Sequence, residues 1–182
     1  MQLIQTVVPT DEPITLKEMK EFLRVLHEDD DALIGLLIIA VREHIENITN
    51  RQLESATFGL LSHNFTCKLP KGSLQSVEKI EYLNELGDYI TLSASSYYSY
   101  IDNGIGYIEY LDTPTLQTHR EAVKITFIAG YATVPEAIKQ YMKVKIATLY
   151  ENREEYVIGV SISKFGSEFI ENILSSYKIR SI

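Results

Sequence analysis

The sequence feature that most constrains the fold is an apolar run at residues 33–41, which contains Leu, Ile, Ala, Val and one Gly but no polar side chain. It is bounded by Asp31 and Arg42, and it is far shorter than the roughly 20 residues that a membrane-spanning helix needs. A helix over residues 30–50 is predicted, and its first half has to be enclosed on nearly every face. Its second half is predicted to have a solvated side, formed by Arg42, Glu43, Glu46 and Asn47.

Local capping signals mark where the helices begin and end. Thr15 and Glu18 have the spacing of a capping box, in which each side chain binds the backbone amide of the other residue. The acidic residues 28–31 are expected to supply the N-cap of the second helix, and Asn50 is expected to end it in the left-handed conformation. Pro135 fits the first position of a third helix, because an acidic residue follows it.

The middle of the chain changes character near Ala56, where aromatic residues and Thr in short segments replace the helical periodicity. Turn residues at 84–88 and 102–104 separate these segments, and residues 69–72, which include Pro70, are predicted to interrupt the first of them. About six short antiparallel strands are predicted, in residues 57–68, 77–83, 89–92, 95–101, 107–110 and 122–128.

The order of the segments predicts a single α+β domain spanning residues 1–182. Its helical bundle is built from the N- and C-terminal segments, and its antiparallel β-region is inserted between them. The predicted parts are N-terminal helices at 14–53, the β-region at 56–130, a C-terminal helix at 134–154, and a tail at 155–182 that is expected to be mobile and could form a short helix.

Charge and composition exclude several classes of function. A net charge of -8 and a pI near 5.0 argue against a surface that grips phosphate backbones. The single cysteine, Cys67, cannot form an intramolecular disulfide, and a reducing cytosol fits it best. Residues 1–9 lack the features of a secretory signal. We therefore expect a soluble chain that uses no membrane and does not read nucleic acid.

No set of residues has the spacing of a catalytic, cofactor-binding or metal site. Gly104 and Gly106 are not followed by the third glycine and the helix of a dinucleotide-binding loop. Cys67 and the serines at 93–99 lack the Gly-x-Ser-x-Gly pattern of a nucleophile elbow. The histidines lie far apart and show no metal-ligand spacing; they are His27, His44, His63 and His119. No enzyme activity, metal or cofactor is predicted.

Four segments carry a resemblance to a known family through their order along the chain: residues 14–34, residues 40–51, residues 69–82 and residues 123–154. In this order they resemble the head-tail connector proteins of tailed bacteriophages and prophages, which are also called adaptor or head-completion proteins. The resemblance departs from the family pattern in the absence of Trp and in Asn50, which stands where a Gly is common. Asn tolerates the left-handed conformation, so the helix end is preserved.

The resemblance implies a structural virion subunit that forms a homo-oligomeric ring beneath the portal protein. Such a ring joins the DNA-filled head to a stopper or tail-completion protein, and DNA passes through it without being read. The implied location is the virion neck, with assembly in the bacterial host cytoplasm.

Three sets of residues are predicted to make contacts. The second helix is expected to supply core or inter-subunit contacts through Leu33, Leu36, Leu37, Ile38, Val41 and Ile45. Two interpretations stay open for Tyr97, Tyr98, Tyr100 and Tyr107: packing on the sheet face, which is favoured, and a partner surface. A tail that orders only against the portal or a neighbour is expected to use Phe165, Phe169, Ile173, Leu174 and Tyr177.

Two other classes of function stay open at this point. A DNA-packaging or DNA-binding accessory factor would need a basic face. A small hydrolase would need a pocket in which a nucleophile and a positioned base converge.

Overall fold

A computed structural model describes residues 1–152 and 172–179. The chain divides into two compact units. The first, here called the β unit, contains Met1–Thr10 and Gln52–Ala132, and the second, here called the helical unit, contains Asp11–Arg51 and the described residues from Thr133 onward. The mixture of helices and antiparallel strands confirms the predicted α+β class. The prediction that the two units together form a single domain stays a prediction.

Within the described residues, the helical unit contains three longer α-helices and a short helical stretch at residues 172–175, in the tail for which a short helix was predicted. The predicted start of the first helix and the predicted end of the second are confirmed. The capping box is present, because Thr15 Oγ1 accepts from the amide of Glu18 at 3.2 Å while Glu18 Oε2 accepts from the amide of Thr15 at 2.8 Å. Asn50 ends the second helix with a φ of 57°. The helices are α1 (Leu16–Leu23), α2 (Asp31–Thr49) and α3 (Glu136–Glu151); Pro135 is the N-cap of α3 rather than its first residue.

The acidic segment before α2 has a different role from the one predicted. Asp30 occupies the N-cap position but makes no side-chain capping bond. Its carboxylate instead accepts a hydrogen bond from the hydroxyl of Tyr150 on α3. Asp31 forms an ion pair with Lys20 on α1. The carboxylates therefore tie α2 to the other two helices, which a local capping rule cannot foresee.

The β unit is built from antiparallel strands in two sheets. The larger sheet has the order β1-β2-β8-β4-β5, and the smaller one has the order β3-β7-β6. The strands are β1 (Gln2–Val7), β2 (Ala56–Ser62), β3 (Lys68–Gly72), β4 (Leu74–Leu83), β5 (Tyr89–Thr91), β6 (Tyr97–Asp102), β7 (Ile105–Tyr110) and β8 (Val123–Ala129).

Two of these strands, β1 and β3, were not predicted. β1 pairs with β2, 50 or more residues away along the chain, so no local turn signal marks it. β3 contains Pro70 and lies at the edge of its sheet, where a residue without an amide hydrogen is tolerated. Its ladder with β7 is irregular between Lys68 and Gly72. The predicted interruption at residues 69–72 is therefore wrong.

One hydrophobic core lies between the two sheets of the β unit. β2 and β8 alternate buried and half-buried residues along their whole length, and Phe58 stacks on Phe127 with ring centroids 5.6 Å apart. The chain leaves β8 at Gly130, whose φ is 151° and whose amide donates to the carbonyl oxygen of Ser73 at 2.7 Å. The core also includes Leu60, Leu69, Ile80, Ile108, Val123 and Ile125.

Candidate contact surfaces

The described residues contain no group of three or more His, Cys, Asp or Glu side chains that could hold a metal ion. Cys67 is exposed. No helix in the described part of the chain is long and apolar enough to cross a bilayer. The features that remain for a functional interpretation are buried ion pairs and exposed apolar surfaces.

Arg42 lies at the centre of a buried ion-pair network in the helical unit. Its Nε donates to Glu12 at 2.8 Å and its Nη1 donates to Glu46 at 3.0 Å. Arg42 is 7% exposed and Glu46 6% exposed, so their predicted place on a solvated side of α2 is wrong. Burial opposes the positive charge, but the hydrogen bond to Glu12 and the charge of Glu46 raise the pKa of Arg42. The network fastens the segment before α1 to α2.

The predicted contact residues of α2 separate into two groups. Ile38, Val41 and Ile45 are at most 3% exposed and belong to the core of the helical unit. Leu33 and Leu37 are half-buried. Leu36, however, is 66% exposed, so the first half of α2 is not enclosed within the described part of the chain.

Leu36 forms an exposed apolar patch with Ile39, which is 39% exposed, and with Ala40. These three residues are here called the α2 outer face. Ile39 lies within the range 33–41 predicted to make contacts but was not singled out, because a helix that is apolar on every side gives no signal of which side faces the core. Leu36 and Ile39 are three residues apart and are therefore neighbours on the helix surface.

Three of the four predicted tyrosines share one face of the smaller sheet. Tyr100 lies opposite Tyr107 in the ladder, with ring centroids 5.4 Å apart, and Tyr98 lies 6.1 Å from Tyr100. Tyr98 and Tyr100 are 45% and 44% exposed. Hydrogen bonding to Glu109 raises the pKa of the Tyr98 hydroxyl. Tyr98, Tyr100 and Tyr107 are here called the tyrosine face.

Tyr97 belongs to the other side of the same sheet. It pairs with Tyr110 in the ladder and packs against the core of the β unit. Tyr110 donates from its hydroxyl to the carbonyl oxygen of Thr66 at 3.2 Å, and burial raises its pKa. For Tyr97 the structure therefore agrees with the favoured interpretation, packing within the β unit.

The predicted tail residues are only partly within the described chain. Phe165 and Phe169 lie outside the described residues. Leu174 is 2% exposed, and Ile173 and Tyr177 are half-buried. The carbonyl oxygen of Tyr177 accepts a 2.6 Å hydrogen bond from Arg51 Nε, and the amide of Ile179 donates to the carbonyl of Thr49. These contacts lie within the helical unit, and the dependence of the tail on a partner stays a prediction.

Comparison with known proteins gives one family and one fold. The sequence model of the family described as head completion protein matches residues 12–180. A chain in the neck of an empty gene transfer agent (GTA) particle, computed with C6 symmetry, has 19% sequence identity and a TM-score of 0.81 over 100% of this chain and 98% of its own length. No match is found among curated protein sequences.

Two further solved structures contain chains of the same fold. A chain in the virion of a native gene transfer agent particle has 20% identity and a TM-score of 0.81, and it covers 100% of this chain and 98% of its own length. A chain in the neck of a native GTA particle, computed with C12 symmetry, has 21% identity, a TM-score of 0.78 and the same coverage.

Proposed function

Because the chain belongs to the head completion protein family, we propose that it is a structural subunit of a virion neck. In this role copies of the chain form a ring beneath the portal protein and join the DNA-filled head to a stopper or tail-completion protein. The observation that carries the proposal is the family match, since it covers residues 12–180 of the 182-residue chain. Such a subunit acts by binding to other proteins of the virion and catalyses no reaction.

The ring is supported by the symmetry of the necks that contain chains of this fold, which were computed with C6 and C12 symmetry. A ring of identical subunits needs head-to-tail contacts between two different surfaces of each copy. The α2 outer face is a candidate for one of them, because burying its apolar side chains against a neighbour removes them from water. The helices of the helical unit then act as the ring-forming and portal-docking bundle, and the tail contacts the portal or a neighbouring copy.

The tyrosine face is a candidate for a contact with another protein of the neck. Tyrosine combines a large apolar area with a polar tip, and it is enriched at protein interfaces for that reason. The stacked pair Tyr100 and Tyr107 is held in one arrangement by the ladder, so little side-chain entropy is lost on binding.

The location of the subunit would be the virion neck, after assembly in the host cytoplasm. The acidic charge of -8 would let DNA pass without being held.

Replacing Leu36 with lysine is expected to prevent ring formation while leaving the subunit folded. The side chain is 66% exposed in the single copy, so the free energy of unfolding should change by no more than about 0.5 kcal/mol. In the ring the same lysine would bury a charge in an apolar contact. Co-sedimentation of the chain with portal particles should therefore fall by about tenfold.

Leu86→Lys is the matched control, because Leu86 is also an exposed leucine, at 87%, but lies in the β unit and outside the α2 outer face. This variant should co-sediment like the wild type. Wild-type behaviour of Leu36→Lys would remove the α2 outer face from the contact.

A further inference from the structure

A groove of about 610 Å³ runs along α1 and the loop that leads to α2, entirely within the helical unit. Its apolar wall is formed by Leu16, Val25 and Leu26. Leu26, in the loop that follows α1, is 97% exposed, and Phe22, on α1, is 43% exposed. Apolar side chains left in water at a concave surface favour an occupant that covers them.

The residues that line the groove carry an excess of one positive charge, because the lining has three basic side chains but only two acidic ones: Lys17, Lys20 and Arg24 against Glu21 and Asp31. Lys20 is paired with Asp31. Lys17 and Arg24 also line the groove and are exposed, and neither has an ion-pair partner among the residues that the structure describes. An occupant of this groove should therefore combine apolar side chains with a carboxylate.

The α2 outer face has that combination. Glu43 lies seven residues after Leu36 and three after Ala40, so the helical repeat places it on the same side of α2. Its side chain is 62% exposed, and its contact with Arg42 is long, at 3.9 Å. The surface that begins at Leu36 is therefore apolar and ends in an exposed carboxylate.

We propose that the α2 outer face of one copy, together with its Glu43, docks into the α1 groove of the neighbouring copy. Leu36 and Ile39 then cover Leu26 and Val25 of the neighbour, and Glu43 approaches its Lys17 and Arg24. This inference rests on the proposed ring and names the two surfaces that form it. Burying a helix face in a groove is a common mode of protein recognition.

A second copy is favoured over the same chain as the occupant of the groove. On α2 the outer face lies on the side opposite to the buried residues Ile34, Ile38 and Val41, which pack into the helical unit. Within the part of the chain that the structure describes, no residue covers the groove or the outer face. They are two different surfaces of one subunit, which is what a closed ring of rotated copies requires.

Charge exchange between the two surfaces tests the pairing. Arg24→Glu should reduce ring formation on portal particles about tenfold, because it places a carboxylate opposite Glu43. Glu43→Lys should have a similar effect. The double variant, Arg24→Glu with Glu43→Lys, should recover most of the rings, because the pair is restored with opposite polarity. Rings are counted by electron microscopy, and folding is checked by circular dichroism.

Leu26→Ser provides a second test that does not disturb the fold, since the side chain is almost fully exposed. It should reduce ring formation, whereas Leu86→Ser, at a leucine that is 87% exposed in the β unit, should not. Unchanged ring formation in both Leu26→Ser and Arg24→Glu would overturn the groove contact and leave the proposed function intact. Wild-type chain that forms no ring on portal particles would instead overturn the proposed function and, with it, this inference.

Discussion

Gly130→Ala is expected to lower the free energy of unfolding of the β unit by about 4 kcal/mol, which combines backbone strain with overpacking. The φ of Gly130 is 151°, a value that residues with a Cβ rarely adopt. A Cβ built at this position would lie 2.7 Å from backbone atoms of Glu54 and Ser55. Backbone atoms cannot move aside by changing rotamer, and the hydrogen bond from the Gly130 amide to Ser73 fixes the chain.

Urea denaturation followed by circular dichroism measures this effect, with Gly59→Ala as the control in the same sheet. A Cβ at Gly59 would meet Thr6 Cγ2 at 3.7 Å, an ordinary contact. The control should unfold within about 1 kcal/mol of the wild type. Equal urea midpoints of unfolding for the two variants would contradict the close approach of the chain to Glu54 and Ser55 at Gly130.

Arg42→Met is expected to destabilise the helical unit by about 3–5 kcal/mol, because it removes the buried guanidinium group to which Glu46 is hydrogen-bonded. Glu46 is 6% exposed and accepts from Arg42 at 3.0 Å. Glu12 is less affected, since its side chain is 27% exposed and can be hydrated.

The double variant Arg42→Met with Glu46→Leu distinguishes a lost ion pair from a general packing defect. Replacing both partners with apolar residues also removes the buried carboxylate and can be close to neutral. We therefore expect the double variant to be more stable than Arg42→Met alone in thermal and urea unfolding. A double variant as unstable as the sum of its single substitutions would contradict a direct interaction between Arg42 and Glu46.

The elements that could be predicted from the sequence are those with local signals. The capping box at Thr15 and the left-handed Asn50 depend on residues within one helical turn, and both are confirmed. The family resemblance is confirmed by the match over residues 12–180. Six of the strands were predicted because turn residues and aromatic or β-branched side chains mark them.

The features that could not be predicted depend on contacts between distant residues. β1 exists because it pairs with β2 across the sequence. Arg42 and Glu46 look like solvated helix residues until Glu12, 30 residues earlier, is placed beside them. The contact residues on α2 could be predicted only in part, because an apolar run does not indicate which side of the helix faces the core. The exposed Leu36 and the buried Ile38 are equivalent by sequence.

Electron microscopy of the chain mixed with portal particles tests the central claim most directly. The proposed function predicts added ring density on the portal, in which the β unit and the helical unit can be placed once per subunit. Its rotational order should be one that the portal can accept, as in the necks with C6 and C12 symmetry. The claim that the chain is a ring-forming subunit of the virion neck would be contradicted if portal particles showed no added ring when the chain is in large excess over the portal.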